Sequence, residues 1–242
     1  MLAEVTCEDY TRCLDEVVSD VLAAAEITAP PIDAFSIADR LGIIVAVDDR
    51  QLGRARCARL NAASREQPTI FVRSEPRVER GQWSVAHEIG EHWSERVFAK
   101  LHINPLEAPA GSREKVANLS AARLLLPTPW FRRAAEHSDW DLFQLKRKFS
   151  TASHELIARR MLDFEPPVAI AVFDHGRLTF RRANLLGMTA LSPPEHACRE
   201  RAARTNRTSR NETSRIVVTA WPIHEPEWRR EILRTLYIMP CE

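Results

Sequence analysis

The chain has 242 residues, enough for one large domain or two small ones. Apolar residues make up 45% of it and the net charge is +1. This ordinary globular composition excludes a general electrostatic bias toward nucleic acid or a membrane surface. The amino terminus has no basic segment followed by an apolar core, so it does not read as a secretory signal, and no apolar run is long enough to span a bilayer. Cys7, Cys13, Cys57, Cys198 and Cys241 are odd in number and form no C-x-x-C pair. The expectation is a cytoplasmic chain with reduced, structural thiols.

Residues 8–26 predict a helix, with Leu14, Val17, Val18, Val21 and Leu22 on one stripe and Pro30-Pro31 beyond its end. A short helix is expected from Ala34 to Leu41, stopped by Gly42, and a buried strand over residues 43–47. Ala55 to Asn61 and Thr69 to Arg73 read as two more strands, joined by a loop at residues 64–68. One helix is then predicted from about Gln82 to Lys100. His102 to Ser112 carries two prolines and a glycine and reads as a loop. Ser112 is the expected cap of a helix from Arg113 to Leu126, closed by Pro127. Helices over 129–137, 139–149 (capped by Ser138) and 154–162 follow.

After Glu165-Pro166-Pro167, Val168 to Phe173 and Arg177 to Arg182 predict a β-hairpin about Asp174-His175-Gly176. Cys198 to Arg210 is arginine-rich and reads as a solvated helix or exposed loop. Arg215 to Trp221 predicts a strand, Glu227 to Leu236 has helical spacing, and residues 237–239 suggest a last strand. These elements predict an α+β protein with a domain over residues 1–164 and a small mixed carboxy-terminal region over 165–242.

The chemistry concentrates in His87-Glu88-Ile89-Gly90-Glu91-His92. This is one residue away from H-E-x-x-H, in which two ligands share a helix face beside a carboxylate base. At about 100° per residue, His87 and position 91 lie roughly 40° apart, whereas His87 and His92 lie roughly 140° apart. The second ligand slot therefore holds Glu91. Three arrangements are compatible with this spacing. Glu91 binds metal, giving a site of one histidine and two carboxylates that leans toward harder ions such as Mn2+. Alternatively, a π-bulge near Gly90 rotates His92 into place. In the third, the site is degenerate. Glu114 lies on the apolar face of a following helix, where a carboxylate is costly unless paired or bound to metal.

Three ordered segments resemble the ImmA/IrrE metallopeptidases: Arg80-Gly81-Gln82-Trp83-Ser84-Val85-Ala86-His87-Glu88-Ile89-Gly90, then Glu114 to Pro127, then Leu145 to Ser153 with Ala158 to Leu162. The second is similar to the family pattern E-x-x-A-N-x-F-A-A-x-L-L-M-P. Ser120 stands at its phenylalanine, and Arg123 where an acidic or neutral residue is common. The resemblance covers roughly residues 30–165. It implies a zincin-like core of a small sheet and metal-site helices, with a helix-turn-helix-like segment over 128–164. It also implies an intracellular, Zn2+-dependent endopeptidase that cleaves a helix-turn-helix transcriptional repressor. By resemblance, His87 is the first metal ligand, Glu114 the third, and Glu88 the general base acting on a metal-activated water. A catalytically degenerate regulator that binds protein or DNA is the alternative. Lys146, Arg147, Lys148, Arg159 and Arg160 would suit phosphates, but few base-reading side chains accompany them, and DNA binding is not favoured.

Overall fold

The computed structural model describes residues 6–50, 53, 55–62, 65–164, 166–185 and 190–238, with the backbone alone for 57–62 and 65–67. It divides into two units, Met1–Ser153 and His154–Glu242. Both α-helices and β-sheets are present, as the α+β expectation requires. Among the described residues no helix is long and apolar enough to cross a membrane.

The first unit opens with α1 (Cys7–Ala24), whose buried stripe is Cys13, Leu14, Val17, Val18, Val21 and Leu22. Thr6 caps it by accepting from the Asp9 amide. After α2 (Ala34–Arg40), three strands form a small sheet: β1 (Ile44–Val47), β2 (Ala55–Ala62) and β3 (Arg65–Val72). The order is β1-β3-β2, with β1 parallel and β2 antiparallel to β3. β3 thus extends back across much of the predicted loop at 64–68. Pro68, opposite Arg59 on β2, is tolerated because it precedes the point at which β1 begins its pairing, Thr69, so β3 has one neighbour there and the missing N–H is not needed by a second.

α3 (Val78–His92) and α4 (Ser94–Lys100) replace the single helix predicted from 82 to 100. The break is at Trp93, and the Ser94 hydroxyl donates to the Glu91 carbonyl at 2.7 Å, satisfying a helix-end acceptor. α5 (Ser112–Leu125) is preceded by Gly111 at φ 82°, so the residue before Ser112 is the cap and Ser112 is already helical. α6 (Thr128–His137) and α7 (Leu142–Lys148) follow. Asp141 caps α7 by accepting from the Gln144 amide at 2.8 Å, while Ser138 closes α6 instead. Phe131 and Phe149, both fully buried, pack with centroids 5.6 Å apart.

The second unit holds α8 (His154–Arg160), a 3-10 turn (Met161–Asp163) and an antiparallel sheet of order β5-β4-β8-β7-β6. Its strands are β4 (Val168–Asp174), β5 (Arg177–Ala183), β6 (Ser209–Glu212), β7 (Ile216–Glu225) and β8 (Trp228–Tyr237). The predicted β4–β5 hairpin forms, turning through His175 and Gly176 at φ 49° and 78°, as a tight primed turn requires. α9 (Pro193–Thr205) buries Cys198 and Ala202 against Ala171, Phe173, Val218, Ala220 and Leu233. It starts five residues before the predicted arginine-rich segment, fixed by a capping box of Ser192 and Glu195.

Glu227 to Leu236, read from their spacing as helical, fall instead almost wholly on the central strand β8 (Trp228–Tyr237), paired with β4 on one side and β7 on the other. Glu231 to Thr235 are all buried, so both faces are covered and the polar alternation that marks a strand is absent. Tyr237 ends β8, and Met239 of the suggested last strand lies outside the described residues, as do the side chains of Cys57 and Cys241. Cys7, Cys13 and Cys198 are free thiols.

Candidate metal centre

α3 is held at its start and middle before it presents any functional group. Gln82 is buried; its Oε1 accepts from the Ala34 amide at 2.7 Å and its Nε2 donates to Asp33 Oδ1 at 2.8 Å. Glu79, in the first turn, accepts from Lys146 Nζ at 2.6 Å. Val85, Ala86 and Ile89 are fully buried and form the apolar stripe that seats the helix.

Gly90 sets the distance between α3 and α5. A Cβ built there would stand 2.8 Å from the Ala117 carbonyl oxygen, closer than real side chains approach, and a tight 3.0 Å from Ser120 Cβ. Only hydrogen fits. Ser120, at the position where the resemblance has phenylalanine, is buried at this crossing.

The close crossing carries Glu114, in the first turn of α5, to His87 on α3: Nε2 to Oε2 is 3.6 Å. Asn118, one turn along, donates to the other Glu114 oxygen at 2.9 Å and fixes the carboxylate. Asn118 is a supporting residue that sequence reasoning did not single out; its signal is the four-residue spacing from Glu114 within E-x-x-A-N.

His87, Glu88 and Glu91 form the group on α3 itself, with one ligand atom from each lying within 4.8 Å of the others. Glu88 is only 5% exposed, while the Glu91 and Glu114 side chains are 44% and 64% exposed. The four sequence-predicted residues His87, Glu88, Glu91 and Glu114 are therefore gathered at one crossing of two helices. His92 stands elsewhere: it is exposed, with its ring edge-on to Trp93 at 6.4 Å between centroids. α3 runs as an α-helix through Gly90, and the Trp93 amide donates to the Ile89 carbonyl at 3.1 Å.

Arg113, beside Glu114, places Nε 3.8 Å from Glu91 Oε1 and hydrogen-bonds Glu95 at 3.3 Å. Deeper in the unit, Arg123 is 3% exposed and bonds Asp15 Oδ1 at 3.1 Å, an oxygen that also accepts from Thr128 at 2.6 Å. Its departure from the family pattern thus comes with a half-buried carboxylate partner on α1.

No curated protein matches the chain. A solved structure of a Mycobacterium tuberculosis transcriptional regulator shares the fold, with a TM-score of 0.66 at 18% identity over 93% of this chain and 76% of that one. The model of the IrrE N-terminal-like domain (Peptidase_M78) matches residues 38–162, a span that takes in the small sheet, α3 and α5. That span is more than half of the sequence, and the chain belongs to the IrrE N-terminal-like domain family.

Proposed function

We propose that the chain is a cytoplasmic metal-dependent endopeptidase that cleaves a regulatory protein of the helix-turn-helix repressor type, on a zincin-like core. The observation that carries this reading is the convergence of His87, Glu88 and Glu91 on one helix with Glu114 brought beside His87 from a second. The donor set fits a divalent cation: one imidazole and two partly exposed carboxylates, His87, Glu91 and Glu114, suit zinc and lean toward manganese more than a two-histidine set does. Of the two candidates for the second ligand, Glu91 is favoured over His92 by its place in the group.

When bound, the metal supplies Lewis acidity toward a scissile carbonyl and toward water. The chain's own residues do the rest. Glu88, buried beside the ligand atoms, takes the proton of the attacking water on a carboxylate oxygen and hands it to the leaving amide nitrogen. Asn118 holds Glu114 so that its free oxygen stays toward His87. Among the described residues β2 is an edge strand paired with β3, and α3 packs against both, so an extended peptide can add to it by main-chain hydrogen bonds.

Internal use of the basic side chains supports a protein substrate over DNA. Lys146 bonds Glu79 and the Ser150 and Ala152 carbonyls, Arg159 pairs with Glu155, and Arg160 is buried against Asp163. Arg147 and Lys148 are exposed. The structural relative is a transcriptional regulator, which supports a regulatory setting.

The test is to incubate the purified chain with Zn2+ or Mn2+ and a panel of helix-turn-helix repressors, alongside Glu88→Gln. Cleavage by the wild type and none by Glu88→Gln is expected. Absence of bound metal in a folded wild type would leave the non-catalytic regulator as the better account.

A further inference from the structure

Arg113 occupies a position that the proposed reaction does not use. It lies in the first turn of α5, next to Glu114, and its guanidinium is shared between two carboxylates: Glu91 at 3.8 Å and Glu95 at 3.3 Å, the latter a hydrogen bond. Glu91 and Glu95 are four residues apart on either side of the Trp93 break, at the end of α3 and the start of α4. Glu91 therefore has ligand atoms of His87 and Glu88 within 4.8 Å and a cation 3.8 Å from its Oε1.

Formal charge gives this arrangement a purpose. A helical site of two neutral imidazoles and two carboxylates, base included, carries two negative charges. With Glu91 in the second ligand slot, Glu88, Glu91 and Glu114 bring three. Arg113 sets one positive charge against these three, with the Glu95 carboxylate beside it. It does so at Glu91, the carboxylate that a divalent cation would also need, because the two cations attract the same oxygens and repel each other.

We propose that Arg113 competes with a bound divalent metal for Glu91, that Glu95 is its alternative partner, and that this pair sets how tightly the His87–Glu91–Glu114 site holds metal. The inference rests on the reading of Glu91 as a ligand. A metal ion that draws Glu91 toward His87 leaves Arg113 on Glu95. Removing Arg113 removes the competitor. Removing the Glu95 charge leaves Arg113 with Glu91 alone and strengthens the competition.

The experiment is a chelator-competition titration of Zn2+ and Mn2+ on the full chain, stripped of metal by prior chelation. Wild type is compared with Arg113→Gln, Arg113→Lys, Glu95→Gln, Arg113→Gln/Glu95→Gln and Glu91→Ala, and circular dichroism checks the fold of each. Arg113→Gln is expected to tighten binding about three- to tenfold, the range of exposed charge pairs acting on a doubly charged ion. Glu95→Gln should weaken it about threefold, and the double variant should match Arg113→Gln within about twofold. Arg113→Lys keeps the charge but loses the fork, so it stays near wild type. The Arg113→Gln gain shrinks at high salt.

The inference is overturned if Arg113→Gln binds no tighter than wild type while Glu91→Ala loses metal. Should Arg113→Gln fold poorly, wild-type affinity in Glu95→Gln overturns it equally. Retention of metal by Glu91→Ala, or no metal in any variant, overturns the reading of the site as well.

Discussion

A lone buried glutamate in one unit and a group of glutamates in the other show opposite environments for the same side chain. In the second unit Glu195 is 1% exposed, and both of its oxygens are occupied. Arg181 donates to each at 2.9 and 3.2 Å, Thr235 to one at 2.7 Å, and the Ser192 amide and hydroxyl to the other at 2.7 and 2.9 Å. Burial pushes this carboxyl up, but Arg181, Ser192 and Thr235 outweigh it and hold it below the ordinary glutamate range. In the first unit Glu88, Glu91 and Glu114 crowd around one imidazole with Arg113 as a nearby cation at Glu91. The first arrangement satisfies a charge in order to build a fold. The second brings like charges close together, which is unfavourable for the fold unless a cation offsets it.

The contrast is broken most forcefully at Glu88. Glu88→Gln keeps the shape of a buried side chain and removes its proton chemistry, so cleavage should fall by about 10²- to 10⁴-fold while the thermal midpoint stays near wild type. A parallel fall in stability would move Glu88 into the structural class with Glu195.

At Glu195 the expectation reverses. Arg181→Ala leaves Glu195 buried without its cation and should destabilise the protein by about 3–5 kcal/mol in urea unfolding. Metal affinity measured below the unfolding range should be unchanged, because Arg181 bonds Glu195 and the Ala190 carbonyl within the second unit.

Gly90→Ala tests the helix crossing. The added methyl meets the Ala117 carbonyl, and the overpacking should cost about 1–3 kcal/mol. Unlike Arg181→Ala, it should also weaken metal binding, since it separates Glu114 from His87.

Acid sharpens the comparison more gently. Because the folded Glu195 carboxyl lies below its unfolded value, its stabilisation is complete above the ordinary carboxylate range. It is lost as pH falls through the depressed folded value, starting below about pH 4.3, the unfolded glutamate pKa. Glu195→Gln should flatten this part of the stability–pH profile; an unchanged profile would assign the acid sensitivity elsewhere.

Much of this was legible in the sequence where a local rule acts alone. Helical geometry puts position 91, not 92, on the His87 face, and the structure gathers Glu91 into the α3 group while His92 lies outside it. Asp174-His175-Gly176 specifies its turn chemically. What stayed hidden depended on partners distant in sequence. β8 reads as helical because a central strand covered on both faces shows no alternation. The break at Trp93 rests on a side-chain hydroxyl reaching one carbonyl. Lys146 and Arg123 look like surface charge until Glu79 and Asp15 are brought to them. Gly90 is visible as a residue, but its need follows only from the Ala117 backbone against it.

The central claim is that the displaced motif works through its glutamate. Metal titration of Glu91→Ala and His92→Ala, each beside wild type and with the fold checked by circular dichroism, tests it most directly. Loss of Zn2+ and Mn2+ binding in Glu91→Ala, with wild-type affinity in His92→Ala, is the predicted result; loss in His92→Ala with retention in Glu91→Ala would contradict it.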